Sequence, residues 1–275
     1  MHLCKECFVR IFERRVEKCI KKYRMRGKNE KIWVALSGGK DSLVALYVLK
    51  KFSDSELYAY HINLGIEGYS ERMEEVSREF AKKMNVPLKI TDLEDEYGIA
   101  VAKFARKKTC AVCGTIKRYL MNKIPREEGA TMLATGHNAD DIMDFFVKNF
   151  LARNYHWNRK LVPRIEGEHP KLLTKIRPLY FVGDREVATY ALINEIPVER
   201  EECPYAKFSG WKEIFYEIEK KKKYFRTEMI NSIAIAAEFF PEEERELREC
   251  KICGEPSNNE ICGFCRILNN TKIDS

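Results

Sequence analysis

An α/β fold with a mostly parallel sheet is predicted by three observations. Short apolar runs alternate with stretches whose apolar residues recur at helical spacing, from Lys31 to Val198. A glycine turn, Ser37–Ser42, joins the first such run to the first such helix. The composition is that of a globular protein, with 45% hydrophobic and 33% charged residues over 275 positions. That apolar fraction offsets the ordering entropy and supports one or two domains.

The elements follow in order. Lys31–Leu36 reads as a strand, and the helix begins at Ser42. Leu57–Asn63 is a second strand, Ser70–Met84 a polar helix and Val86–Thr91 a third strand. Thr115–Glu128 reads as a helix leading into strand Thr131–Thr135 and then GHNADD, with Asn138–Leu151 helical. Asn154–Pro178 lacks periodicity and carries Pro163, Pro170 and Pro178, so it is expected to be a loop. Asp184–Asn194 is helical and Ile196–Val198 a short strand; Ser209–Phe240 has only helical periodicity. Pro241 and the acids from Glu242 to Glu244 separate this core from a cysteine-rich tail. The expected division is 1–29, a basic helix with a cysteine pair; 30–240, the α/β core; and 245–268, the tail module.

No apolar run approaches the ~18–20 residues of a membrane helix, and the charged opening MHLCKECFVRIFERR does not read as a secretion signal. A soluble, cytoplasmic protein is expected. The net charge of +7 is unevenly placed. Arg14–Lys28 holds eight cations against Glu17; Lys103, Arg106, Lys107 and Lys108 form a second cluster, and Lys220–Lys223 with Tyr224, Phe225 and Arg226 a third. Cations interleaved with aromatics suit a nucleic-acid backbone, although solvated helix faces explain any one cluster equally well.

Eight of the ten cysteines form CxxC pairs: Cys4/Cys7, Cys110/Cys113, Cys250/Cys253 and Cys262/Cys265. Cys19 and Cys203 stand alone. In a reducing compartment such pairs point to metal or redox chemistry. The last two have the spacing of a closed four-thiolate zinc ribbon, a structural site. Cys4 and Cys7 are only half of such a site, with His2 and Cys19 as further donors in sequence.

The turn SGGKDS allows backbone N–H groups to approach an anion at a helix N-terminus, with Lys40 adding charge and Ser37 and Ser42 adding hydroxyl donors. A Walker loop would need Gly at 34 and Ser or Thr after the lysine; Val34 and Asp41 stand there instead. Ser37, Gly38, Gly39, Lys40, Asp41 and Ser42 resemble the PP-loop of ATP pyrophosphatases. That resemblance implies an adenine nucleotide α-hydrolase-like parallel sheet, with ATP at the switch point between the first and fourth strands. TGHNADD then places Gly136 and His137 at the same edge, where Asp140 and Asp141 could hold Mg2+ on ATP or handle a proton. Taken alone, two adjacent acids are equally common helix caps.

Cys110/Cys113, the Lys117–Arg118 pair and Cys203–Pro204 resemble, in that order, the TtcA/TtuA-type tRNA 2-thiolation enzymes of the PP-loop superfamily, in the archaeal and eukaryotic-cytosolic branch with terminal zinc modules. The likeness runs over nearly the whole chain. It implies a 4Fe-4S cluster on Cys110, Cys113 and Cys203 with one iron free for sulfur, catalytic roles for Lys117 and Asp141, and an adenine bordered by His61 and Ile62. It also implies zinc at Cys250, Cys253, Cys262 and Cys265, with Cys4 and Cys7 an incomplete zinc site. The expected reaction adenylates a tRNA uridine at O2, releases pyrophosphate and replaces the oxygen with sulfur. The donor would be a thiocarboxylated ubiquitin-like protein or sulfide, and the enzyme a homodimer. The rivals are a PP-loop ligase, which needs no such cysteines, and a non-enzymatic metal-dependent nucleic-acid-binding protein, which leaves SGGKDS unexplained.

Overall fold

The computed structural model describes residues 4–104, 109–199, 201–206, 209–242 and 247–271. Helix α1 (Lys5–Lys22) buries Phe12, Val16, Cys19 and Ile20, a stripe at helical spacing, and turns Arg14, Lys18, Lys21 and Lys22 outward. The parallel units follow: β1 (Lys31–Ala35), α2 (Lys40–Phe52), β2 (Glu56–Asn63), α3 (Tyr69–Lys83), β3 (Leu88–Asp92), the short α4 (Leu93–Tyr97), α5 (Thr109–Glu127), β4 (Met132–Ala134) and α6 (Ala139–Leu151). Beyond them lie α7 (Tyr155–Asn158), β5 (Arg164–Ile165), β6 (Thr174–Ile176), α8 (Asp184–Ile193), α9 (Trp211–Lys221) and α10 (Phe225–Ala236). The tail holds β7 (Arg248–Glu249), β8 (Pro256–Ser257) and α11 (Gly263–Thr271).

The main sheet has the order β3-β2-β1-β4-β6-β5, parallel except for the β5–β6 pair. The chain builds outward from β1 to β3 and then crosses back to β4, so the carboxyl ends of β1 and β4 form the switch point. Alternation along β1 assigns its side chains to two cores. Ile32 and Val34 face the core built with α1, α2, α6, α8 and α10, where Phe12 stacks on Tyr190 at 4.1 Å. Trp33 faces the other, with Tyr60, Leu133, Ile116 and Leu120 of α5, and Phe264 of the tail.

Three expectations change. The segment 154–178 is not only loop, because it supplies β6, which pairs with β4; three residues are too few to show a period. Ile196–Val198 is not a strand. β6 occupies the place beside β4, and Ile196 is buried after its N–H bonds the Ala191 carbonyl, closing α8. Helix α5 begins at Thr109 rather than Thr115, so Cys110 and Cys113 lie in its opening turns.

Candidate active site

The loop after β1 closes on itself. The Ser37 N–H donates to Ser42 Oγ at 3.0 Å, and the Ser42 hydroxyl donates to the Gly39 carbonyl at 2.8 Å. Gly38 has φ +79°, and a Cβ there would meet the Met73 carbonyl oxygen at 2.6 Å. A Cβ on Gly136 would stand 2.7 Å from the Ser42 nitrogen. Glycine at both positions lets the loop, α3 and the β4–α6 turn converge.

Asn138 joins the two motifs. Its side-chain oxygen accepts from the backbone N–H groups of Asp140 and Asp141, capping α6, while its amide donates to Asp41 at 3.0 Å. Lys40 does not line the cavity beside the loop; its ammonium lies 2.9 Å from Asp41 and 2.8 Å from Asp184. Burial alone would lower the Lys40 pKa, but those two carboxylates outweigh it and raise it. Burial pushes the Asp41 carboxyl up, against the pull of Lys40.

A cavity of about 320 Å³ opens at the switch point. Ser37, Asp41 and Ser42 line it from the loop, and Gly136, His137 and Asp141 from the second motif. His61 and Ile62 come from β2 and Lys117 from α5. His61 is 3% exposed, and its Nδ1 lies 2.8 Å from the Leu36 carbonyl. A carbonyl only accepts, so Nδ1 carries the proton, and Nε2 has no partner. Burial lowers the pKa of both histidines, that of His137 to about 4 with help from Arg177; its Nδ1 lies 2.8 Å from Thr135 Oγ1. Asp140 departs from expectation. It is fully buried, bonded to Arg226 at 3.0 Å and to the Asp184 N–H at 2.7 Å, and does not line the cavity.

The central cysteines meet across the chain. Cys110 donates to the Tyr205 carbonyl at 3.0 Å, which brings the Cys203 segment against the N-terminal end of α5. Burial pushes the Cys113 thiol up; the positive charge of Lys117, one turn along, opposes this, and Cys203 and Cys110 add to the rise. Three thiols at a positive helix end form a donor set that suits an anionic iron–sulfur cluster. Among the described residues, only Cys250, Cys253, Cys262 and Cys265 have ligand atoms mutually within 4.8 Å, the packing of a single-ion site.

The tail tetrad is preformed by backbone donors. The Cys262 N–H points to Cys250 Sγ at 3.2 Å and the Cys265 N–H to Cys262 Sγ at 3.4 Å. Such backbone bonds bring the Cys250 thiol down to about 6, against the effect of burial. The module sits on α5: Phe264 stacks on Tyr119 at 4.1 Å, and Arg126 grips Glu255 at 2.6 and 2.8 Å. At the other end Cys4 is exposed and Cys7 half-buried. Cys19 is not their partner. It is buried far along α1, 3.9 Å from the Arg177 carbonyl, while His2 lies outside the described residues.

Sequence reasoning missed Lys212 and Asp184. Lys212, in the first turn of α9, lies 2.7 Å from Asp141, and Asp184 begins α8. Neither sits in a recognisable motif; only the packing of α8 and α9 brings them in. Of the basic clusters, Lys220–Lys223 and Tyr224 are exposed at the end of α9, whereas Arg106, Lys107 and Lys108 lie outside the described residues.

The strand order, self-closed phosphate loop and switch-point cavity define a nucleotide-binding α/β protein of PP-loop type. A PP-loop domain family matches residues 9–203. The tRNA-5-methyluridine(54) 2-sulfurtransferase of Pyrococcus horikoshii is 40% identical over 276 residues, covering 97% of this chain and 87% of the relative. Cytoplasmic tRNA 2-thiolation protein 1 of Caenorhabditis elegans is 28% identical over 281 residues, covering 97% of this chain and 74% of its own. The solved U34-tRNA thiolase NcsA from Methanococcus maripaludis, with its 4Fe-4S cluster, superimposes with a TM-score of 0.81 at 29% identity, over 98% of this chain and 90% of its own. The chain belongs to the PP-loop family, in the branch of tRNA 2-thiolation enzymes.

Proposed function

We propose that this protein is an ATP-dependent tRNA 2-thiolation sulfurtransferase that activates a uridine by adenylation. The observation that carries this reading is the shared cavity: Lys117, one turn from Cys113, lines the same space as Ser37, Ser42 and Asp141. No cysteine lines the cavity itself, and Lys117 is the link between it and the helix that bears Cys110 and Cys113.

Ser37–Ser42 hold the phosphates through loop N–H groups, hydroxyls and the α2 N-terminus. His61 and Ile62 border the base, with Nε2 of His61 offering an acceptor. Gly136 and His137 complete the pocket. Asp41 and Asp141, which both line the cavity, would hold Mg2+ on the phosphates. The uridine O2 attacks the α-phosphorus, pyrophosphate leaves, and the oxygen becomes part of a good leaving group. Sulfur then attacks C2, and AMP departs with that oxygen. Lys117 stabilises the charge that develops on the leaving AMP, and Asp141 orients the attacking and leaving groups. When bound, a 4Fe-4S cluster on Cys110, Cys113 and Cys203 supplies an iron free of protein ligands and so a place for sulfur. Cys250, Cys253, Cys262 and Cys265 would hold a structural Zn2+, and Cys4 and Cys7 would supply two ligands of a second site. The sulfur source in this reading is a thiocarboxylated ubiquitin-like carrier or sulfide, and the enzyme works as a cytoplasmic homodimer. Incubation with ATP, sulfide and unmodified tRNA should yield AMP, pyrophosphate and a thiolated uridine seen by nucleoside mass spectrometry. ADP as the product, or unthiolated tRNA, would refute the reading.

A further inference from the structure

Three carboxylates and two ammonium groups meet beside the phosphate loop. Lys40 is held between Asp41 and Asp184, at 2.9 and 2.8 Å, with its side chain 20% exposed. Lys212 is held differently. It has one close partner, Asp141 at 2.7 Å, a distant one, Asp184 at 4.0 Å, and 35% exposure. Its helix is firmly seated: Ser209 donates to the buried Asp144 at 2.6 Å just before α9, and Phe215 is 3% exposed one turn beyond Lys212. The backbone of Lys212 is therefore fixed, while its ammonium retains free donors on a rotatable stem. The resident charges leave this cluster one negative charge in excess, and a triphosphate adds several more. A cation must be released to meet it. Lys40 would leave two carboxylates behind, Asp41 and Asp184, whereas Lys212 leaves only Asp141, which lines the open cavity.

We propose that Lys212 is a phosphate-contacting residue, whose ammonium passes from Asp141 to the pyrophosphate portion of ATP and so frees Asp141 for its own role. The residue lies beyond positions 9–203, so the helical region after the PP-loop domain completes the nucleotide site. The proposal rests on reading Ser37–Ser42 as an ATP site.

Calorimetric titration of the full chain with Mg-ATP and with AMP tests it. Lys212→Met should weaken ATP binding about tenfold or more and leave AMP binding unchanged, since AMP lacks the pyrophosphate. Lys212→Arg should recover most of the ATP affinity. Unchanged AMP affinity in Lys212→Met also reports an intact fold. Equal loss for both ligands, or no loss for ATP, overturns the proposal. A wild-type chain that binds AMP but not ATP also overturns it, whereas one that binds neither refutes the ATP reading itself.

Discussion

His137 stands where burial and the Arg177 guanidinium both oppose a positive charge, and its pKa falls to about 4 from 6.5. The imidazole is neutral at physiological pH. As the pH drops from 6.5 toward 4, the unfolded chain takes up a proton that the folded chain refuses, so stability is lost across that window. His137→Gln should melt with a flatter acid limb, and an unchanged slope would contradict this assignment. Lys40 gives a second test at this scale. Lys40→Ala leaves Asp41 and Asp184 without their shared cation, and tRNA-dependent pyrophosphate release should fall by about 10²–10³ with tRNA binding retained. Normal release would remove the loop from the nucleotide site. The convergence of the Ser37–Ser42 loop with Gly136 and His137 was legible in sequence because both motifs follow apolar strands in a fixed local order of glycines and hydroxyl donors. Lys212, Asp184 and the inward turn of Asp140 were not, because each depends on α8, α9 or α10 arriving from far along the chain.

At the scale of elements, α5 carries the most consequence. Its first turns bear Cys110 and Cys113, its next Lys117, and its later turns Tyr119 and Arg126, which receive the tail. Arg126→Ala would leave Glu255, only 9% exposed, as an unpaired buried acid, a cost of about 3–5 kcal/mol for this contact. The loss should appear as faster proteolysis between residues 247 and 271, with ATP affinity kept; unchanged cleavage would show that the grip adds nothing. The strands β1 to β4 were readable because each is a compact apolar run. β6 was not, since a strand of three residues before Pro178 owes its conformation to β4 rather than to its own pattern.

At the scale of the whole molecule, the two cysteine centres should fail separately. Chelation should remove one zinc from the tail tetrad and melt the small module, which has too little apolar surface to hold itself, while ATP still binds. Retention of the tail fold after complete metal removal would oppose a structural role. Cys203→Ala should lose iron and thiolation as fully as Cys110→Ala, with zinc retained, and anaerobic protein should lose activity in air until its cluster is rebuilt. Full thiolation by Cys203→Ala would exclude it from the cluster.

The stacking of Phe264 on Tyr119 also bears on the order in which the protein becomes competent. The sheet, its phosphate loop and the helices α8 to α10 that brace them all precede Cys250, but α5 has an aromatic face that stays wet until the distant segment from Cys250 onward arrives. A ribosome-bound intermediate can therefore own the loop side of the cavity, from Ser37 to Ser42 and Gly136 to Asp141, while the helix that lends it Lys117 is still unbraced. The two sides of the cavity would then settle at different times, the loop side first and the α5 side last.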